Sequence, residues 1–324
     1  MRKMGLLVLS VVVFCGQSVF GASDYFNYFM MTQMGASASM IGKGNVEGFN
    51  NQASAVFENP ASLSHINQFS ATLFQTKFMD EVTYQSFSAA YRVPYGVLGF
   101  GYMSLGVNDI IRTSKVVLDP DASIDNYLSY DIVDVGRFNY ANQMLRFAYQ
   151  YSQTDTFHLG VAGTFFSSSI DTYRGNGFNV DAGLVWDAEP WSFSFSVKNV
   201  IPAMKVNYTQ DGNPTYNAKE NLPLQLVYGA QYQFDDFSIL GQLRFSDNNK
   251  KFLKSVGVQY APSFLPLITL SAGFKEFPVI RDVKSNLTLG LGLQVSGVSF
   301  DYAYERSDYI ENNHKHYFSL GVSF

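Results

Sequence analysis

From Gln68 onward the chain alternates apolar with small or polar residues at a period of two, which puts successive side chains on opposite faces of a strand. Leu98, Phe100 and Tyr102 share one face, with Gly99 and Gly101 on the other. Leu145, Phe147, Tyr149 and Tyr151 point one way, and Arg146, Ala148 and Gln150 the other. The same alternation runs through Phe178 to Trp186, Trp191 to Val197, Phe237 to Phe245, Leu287 to Val295 and Val298 to Tyr304. The second face is mostly Gly, Ser, Thr, Ala and Gln. A soluble sandwich would expose Lys and Glu there. Small residues suit a crowded lumen.

This pattern predicts about 14 strands, at 68–76, 82–92, 96–105, 142–152, 156–170, 176–187, 190–200, 222–234, 236–246, 252–261, 266–275, 284–295, 297–306 and 315–324. The connections at 93–95, 153–155, 188–189, 235, 262–265 and 296 are short, and 106–141 and 201–221 are the longest. Short and long connections alternate, as the periplasmic turns and external loops of an outer-membrane barrel do. The expected fold is an all-β, transmembrane antiparallel β-barrel. Tyr91, Tyr95, Tyr149, Tyr151, Trp186, Trp191, Tyr232, Phe234, Tyr302 and Tyr304 lie near strand ends, where they suit the membrane interface. The last strand alternates Phe318, Leu320, Val322 and Phe324 with Ser319, Gly321 and Ser323.

The first 66 residues differ. Arg2 and Lys3 precede an apolar run from Leu6 to Phe14 and then small residues, the order of a secretory signal peptide, assigned to 1–21. Residues 22–66 carry Tyr25, Phe26, Tyr28, Phe29, Met30 and Met31, then a glycine- and serine-rich run. Ala53 to Phe57 reads as a short helix or turn, and Pro60 biases Asn59 away from helix. A periplasmic arm or disordered terminus is one reading of this segment. A plug in the lumen of the barrel at 67–324 is favoured, because the aromatics are costly to leave in water.

The 324 residues are 47% hydrophobic and 16% aromatic but only 15% charged, against about 25% charged in soluble domains. Mean hydropathy is −0.02, which excludes a helical membrane protein. The net charge of −5 argues against a nucleic-acid partner. The single cysteine, Cys15, lies in the leader, so no disulfide is expected. His314 and His316 suggest no third metal ligand, and no cofactor motif, nucleophile elbow or phosphate loop is present. An enzyme is therefore not expected. Arg146, Asp181, Lys198, Arg244, Asp301 and Glu305 fall on the inward face, where pairing across the lumen or with the plug is expected.

The run Ala53-Ser54-Ala55-Val56-Phe57-Glu58-Asn59-Pro60-Ala61-Ser62-Leu63 resembles the amino-terminal signature of the FadL superfamily, and more closely its PorV/PorQ-like branch and related spirochaete-type proteins. Glu58 and Ser62 are not the commonest residues of that signature. Asn199 with Leu222-Pro223-Leu224 and Gly229, and Asp301-Tyr302-Ala303-Tyr304 with His316 and Ser319-Leu320-Gly321, resemble two further segments of the branch. The resemblance implies a 14-stranded barrel holding a hatch, with Asn59, Pro60 and Ala61 as its motif. It implies passive uptake of hydrophobic small molecules such as long-chain fatty acids, with Phe57, Leu63 and Phe74 as candidate ligand contacts. A barrel component or cargo shuttle of a protein-secretion system, binding its subunits, and a structural surface barrel stand as alternatives. Outer-membrane lipids are expected partners, as is the barrel-assembly machinery, through the strand ending at Phe324.

Overall fold

The computed structural model describes residues 31–32, 34–78, 82–117, 130–201, 207–210, 213–216, 222–247, 252–279, 282–306 and 314–324; the leader assigned to 1–21 and the start of the expected plug, with Tyr25, Phe26, Tyr28, Phe29 and Met30, lie outside them. Among the described residues sixteen strands run from β1 (Phe69–Phe78) to β16 (His314–Ser323). Two of them, β8 (Asn207–Gln210) and β9 (Asn213–Tyr216), form a short hairpin attached to the end of β6 (Tyr173–Ala188). The other fourteen make the wall. Each pairs antiparallel with its neighbour in sequence, with β7 (Trp191–Lys198) passing directly to β10 (Gln225–Phe234). The wall closes where β1 pairs with β16, through registers such as Leu73 with Leu320. Gln68 and Phe69 both donate from backbone N–H to the Phe324 carbonyl, at 2.8 and 2.9 Å, and the Phe69 and Phe324 rings stack at 5.5 Å. No helix among the described residues is long and apolar enough to cross a membrane. Closure leaves no sheet edge, the condition for strands to cross a bilayer.

The alternation decides which way each side chain points. Leu145, Phe147 and Tyr149 of β4 (Tyr130–Ser152) are exposed on the outside, while Met144, Arg146 and Ala148 are buried within. Leu289, Leu291 and Leu293 of β14 (Asp282–Val295) repeat this outward face. An apolar surface continuous around the wall exceeds the few hundred Å² that monomers leave in water, so this outside is a lipid face. At the short-turn end an aromatic ladder follows the rim. Trp186, Phe193, Trp191, Tyr232, Phe234, Phe237 and Tyr260 contact in succession at centroid distances of 4.6 to 6.0 Å. The fold is that of a bacterial outer-membrane barrel.

Strands extend where a loop was expected. β3 (Gly96–Val117) and β4 continue as a ladder well past the expected ends at 105 and 142. Register shifts between Val107 and Ile110 and between Arg112 and Thr113 break the ladder, with Asp109 at φ 58°. These irregularities erase the period of two, and beyond the membrane no apolar face is needed to restore it. The expected loop at 201–221 likewise contains β8 and β9.

Candidate functional site: the barrel interior

Residues 34–66 run through the inside of the wall. They hold a short helix α1 (Ala38–Gly42) and two 3-10 turns, Ala53–Phe57 and Pro60–His65. Their contacts go around the ring. Ala38 N–H donates to Ser319 Oγ of β16 at 2.8 Å, and Ala53 N–H donates to Ser70 Oγ of β1 at 3.0 Å. Ser86 of β2 (Val82–Val93) donates to the Ala36 carbonyl, and Gln242 of β11 (Phe237–Ser246) accepts from Glu47 N–H. The inward glycines permit this approach: a Cβ on Gly290 would stand 2.9 Å from Gly42 Cα.

Asn59 is the best-tied residue of the segment. Its extended backbone (φ −120°, ψ 117°) fits the position before proline and starts the second turn, with Pro60 first in it. Asn59 Oδ1 accepts from Ala61 N–H at 3.0 Å. Its Nδ2 lies within hydrogen-bond reach of Leu184 O, Ser194 Oγ and Phe195 O, at 3.1, 2.9 and 3.2 Å. The Ala61 backbone lies against Gly160 of β5 (Phe157–Ile170), where a Cβ would meet its nitrogen at 2.3 Å. Asn59-Pro60-Ala61 is thus the point where the segment is keyed into β5, β6 and β7.

All six predicted lumen charges are inward and buried. Arg146 pairs with Asp181, and its Nε donates to the Val56 carbonyl at 2.6 Å. Lys198 and Arg244 converge on Glu47 of the inner segment. Asp301 accepts from Gln52 Nε2 at 2.8 Å. Glu305 accepts from Lys275 at 2.7 Å, with Lys315 at 3.7 Å and the Tyr317 hydroxyl at 2.9 Å. Glu47 and Lys275 were not singled out in the sequence. The parity of Ser271, Gly273 and Lys275 carried the signal for the second. Within the segment, burial pushes the Glu58 carboxyl above its ordinary range, opposed by the charge of Lys43. Burial likewise pushes Lys43 down, opposed by Glu58. Glu58 accepts from Gly48 N–H at 3.1 Å and Asn50 Nδ2 at 2.8 Å.

Two apolar clusters complete the interior. Phe74, Tyr84, Met103, Met144, Phe166 and Tyr317 project from the wall onto Met31, Ala36, Ala38 and Ile41. Leu63 belongs to the second, with Val56, Ile66, Ala90, Val97, Ala148 and Ala162. Phe57 packs against both. Of the three candidate ligand contacts, Phe57 and Phe74 therefore meet at one cluster, and Leu63 sits in the other. A cavity of about 30 Å³ is bordered by Phe57, Met103, Met144 and Phe166, and also by Glu47, Arg146 and Lys198. A dry cavity that takes benzene measures about 150 Å³. This cavity is too small for such a molecule.

At the short-turn end the structure assembles residues that no sequence motif joined. His65, last in the second turn, lies 3.0 Å from Asp187 Oδ2 through Nε2. His158 Nε2 is 3.4 Å from the same oxygen, and its Nδ1 meets the Ser152 hydroxyl at 2.9 Å. Ser152 also accepts from Gln150 Nε2 at 2.8 Å. This chain ties the end of the inner segment to β4, β5 and β6. No group of three or more metal-ligating side chains suited to a metal ion occurs among the described residues.

The interior and wall define a class: a closed, fourteen-stranded outer-membrane barrel, with residues 34–66 hydrogen-bonded to the inward face of its wall. No family model matches the sequence, and no curated protein does. Solved structures do share the fold. The toluene transporter TodX of Pseudomonas putida superposes with a TM-score of 0.61 at 11% identity, over 90% of this chain and 99% of that one. The toluene transporter TbuX of Ralstonia pickettii gives 0.57 at 13% identity, over 90% and 99%. A FadL homologue of Pseudomonas aeruginosa gives 0.53 at 12% identity, over 89% and 98%. At these identities the likeness is one of fold.

Proposed function

We propose that this protein is a FadL-like channel for passive uptake of small hydrophobic molecules, with residues 34–66 as its plug. The observation that carries the reading is the methionine and aromatic cluster inside the barrel, where a water-filled pore would be polar. Fatty acids and monoaromatic hydrocarbons both suit such a surface, and two of the fold's neighbours are toluene transporters. Ligand enters past the external ends of the strands and settles against Phe57 and Phe74. It passes when the plug shifts, because the small cavity leaves no room otherwise.

A paired Ala53→Cys and Ser70→Cys variant tests this, since Ala53 N–H already donates to Ser70 Oγ at 3.0 Å and the two residues are neighbours. Radiolabelled palmitate and a labelled monoaromatic hydrocarbon are offered to cells lacking other uptake channels. The oxidised variant should block uptake and reductant should restore it. Uptake no greater than in cells without the barrel overturns the channel; uptake indifferent to the cross-link overturns the moving plug. The densely paired lumen favours one second reading, a non-conducting, PorV-like barrel serving protein secretion. It gains if no ligand passes while secretion subunits co-purify with the barrel.

A further inference from the structure

A cleft of about 430 Å³ lies high on β4, β5 and β6, lined by Arg137, Phe138, Asn139, Ser167, Ser169, Asp171 and Arg174. Its place on the wall follows from parity. On β5 the exposed outward side chains Leu159, Val161 and Phe165 are followed by Ser167 and Ser169. On β4 the outward run Tyr149, Phe147 and Leu145 continues as Gln143, Ala141 and Asn139. The register places these in one band: Ser167 opposes Gln143 and Asn176, and Ser169 opposes Ala141 and Arg174. From Leu159 to Ser169 a tilted strand climbs roughly 25 Å, about the height of a barrel's apolar band. The cleft therefore stands where the lipid face ends on the side of the long connections, level with the headgroups of the outer leaflet.

Its charge is cationic and incompletely compensated. Asp171 is engaged by Arg112, and Arg137 holds Asp134 at 2.8 Å with both half-exposed. The guanidinium of Arg174 makes no hydrogen bond or ion pair to a described residue. Ser167, Ser169 and Asn139 add donors beside it. A guanidinium with neighbouring hydroxyls matches the geometry of a phosphate.

We propose that this cleft binds the phosphate of an anionic outer-leaflet lipid headgroup, anchoring one lipid against β4 to β6. The outward Leu145 and Phe165 just below it lie where the acyl chains of that lipid would run.

Native mass spectrometry of the full chain in micelles doped with phosphatidylglycerol or phosphatidylcholine tests the site. One phosphatidylglycerol should be retained per barrel. The Arg137→Gln, Arg174→Gln double variant should lose retention about twenty-fivefold, at about fivefold per arginine. Ser169→Leu, which fills the cleft and keeps both charges, should lose it as well, and serves if the double variant does not fold. Arg306→Gln, an exposed arginine on β15 (Val298–Arg306), should leave retention unchanged. Retention by the cleft variants equal to wild type overturns the proposal. So does an equal loss in Arg306→Gln, or displacement of the lipid by excess inorganic phosphate, which would make the cleft a site for free anions.

Discussion

Glu47 is the residue whose removal tests most directly how the interior is held. Its carboxylate is buried and meets two cations of the wall, Lys198 at 2.5 Å and Arg244. Glu47→Ala leaves both cations in the lumen without their shared counter-charge. Breaking a buried ion pair by removing one partner costs about 3–5 kcal/mol. The lower end applies here, because the charge of Asp181 also acts on Lys198. That cost falls only on the arrangement in which residue 47 lies between β7 and β11. If the inner segment can leave that position, its displaced population rises by about two orders of magnitude. Protease cleavage within residues 40–60 of the folded, membrane-inserted barrel reads this, alongside palmitate uptake. Both should rise together. The triple variant Glu47→Ala, Lys198→Met, Arg244→Met removes the stranded charges and should return cleavage toward wild type. Cleavage equal to wild type in Glu47→Ala, or a triple variant as labile as the single, refutes the account of the lumen as electrostatically clamped.

Three further outcomes are expected. Gly183→Ala places a Cβ 1.9 Å from Asn59 Oδ1 and should expose the inner segment to protease, whereas Gly241→Ala, with nothing within 4 Å, should not. Asn59→Ala removes the cap on Ala61 and the bonds to β6 and β7, a loss of about 1–3 kcal/mol that should lower the temperature at which the barrel unfolds on gels without abolishing assembly. Deleting Phe324 removes the carbonyl that accepts from Gln68 and Phe69 and the ring stacked on Phe69. The yield of heat-modifiable barrel should fall several-fold, and a yield equal to wild type would show that seam closure does not need this residue.

The wall was legible in the sequence because two solvents face it. Where Leu145, Phe147 and Tyr149 meet lipid and Arg146 and Ala148 meet the lumen, the two environments impose a period of two. The outer parts of β3 and β4 stand beyond the membrane with water on both sides, so nothing forces Asp109 to Arg112 to alternate. The ladder there was invisible for that reason. Interior pairing was legible by half. Parity placed Arg146 and Asp181 on the same face, yet neither it nor spacing showed that Glu47 would face Lys198 and Arg244. That partner comes from a segment with no period at all, whose path is set by where the glycines of the wall leave room. The meeting of His65, His158 and Asp187 was hidden similarly, because it joins a turn of the segment to two strands distant in sequence.

The seam between the first and last strands has a consequence for how the molecule checks its own construction. β1 and β16 could slide against each other with little loss of ladder hydrogen bonds. Sliding either by one residue, however, would turn its faces over. Ser70 and Ser319 would swing into lipid, and Leu73 and Leu320 would enter the lumen. Those two serines are the ones that receive Ala53 N–H and Ala38 N–H from the inner segment. Residues 34–66 thus act as a gauge laid across the joint. Only one registration of the two strands satisfies both serines at once, so a cylinder closed out of step is marked by two orphaned amides inside it.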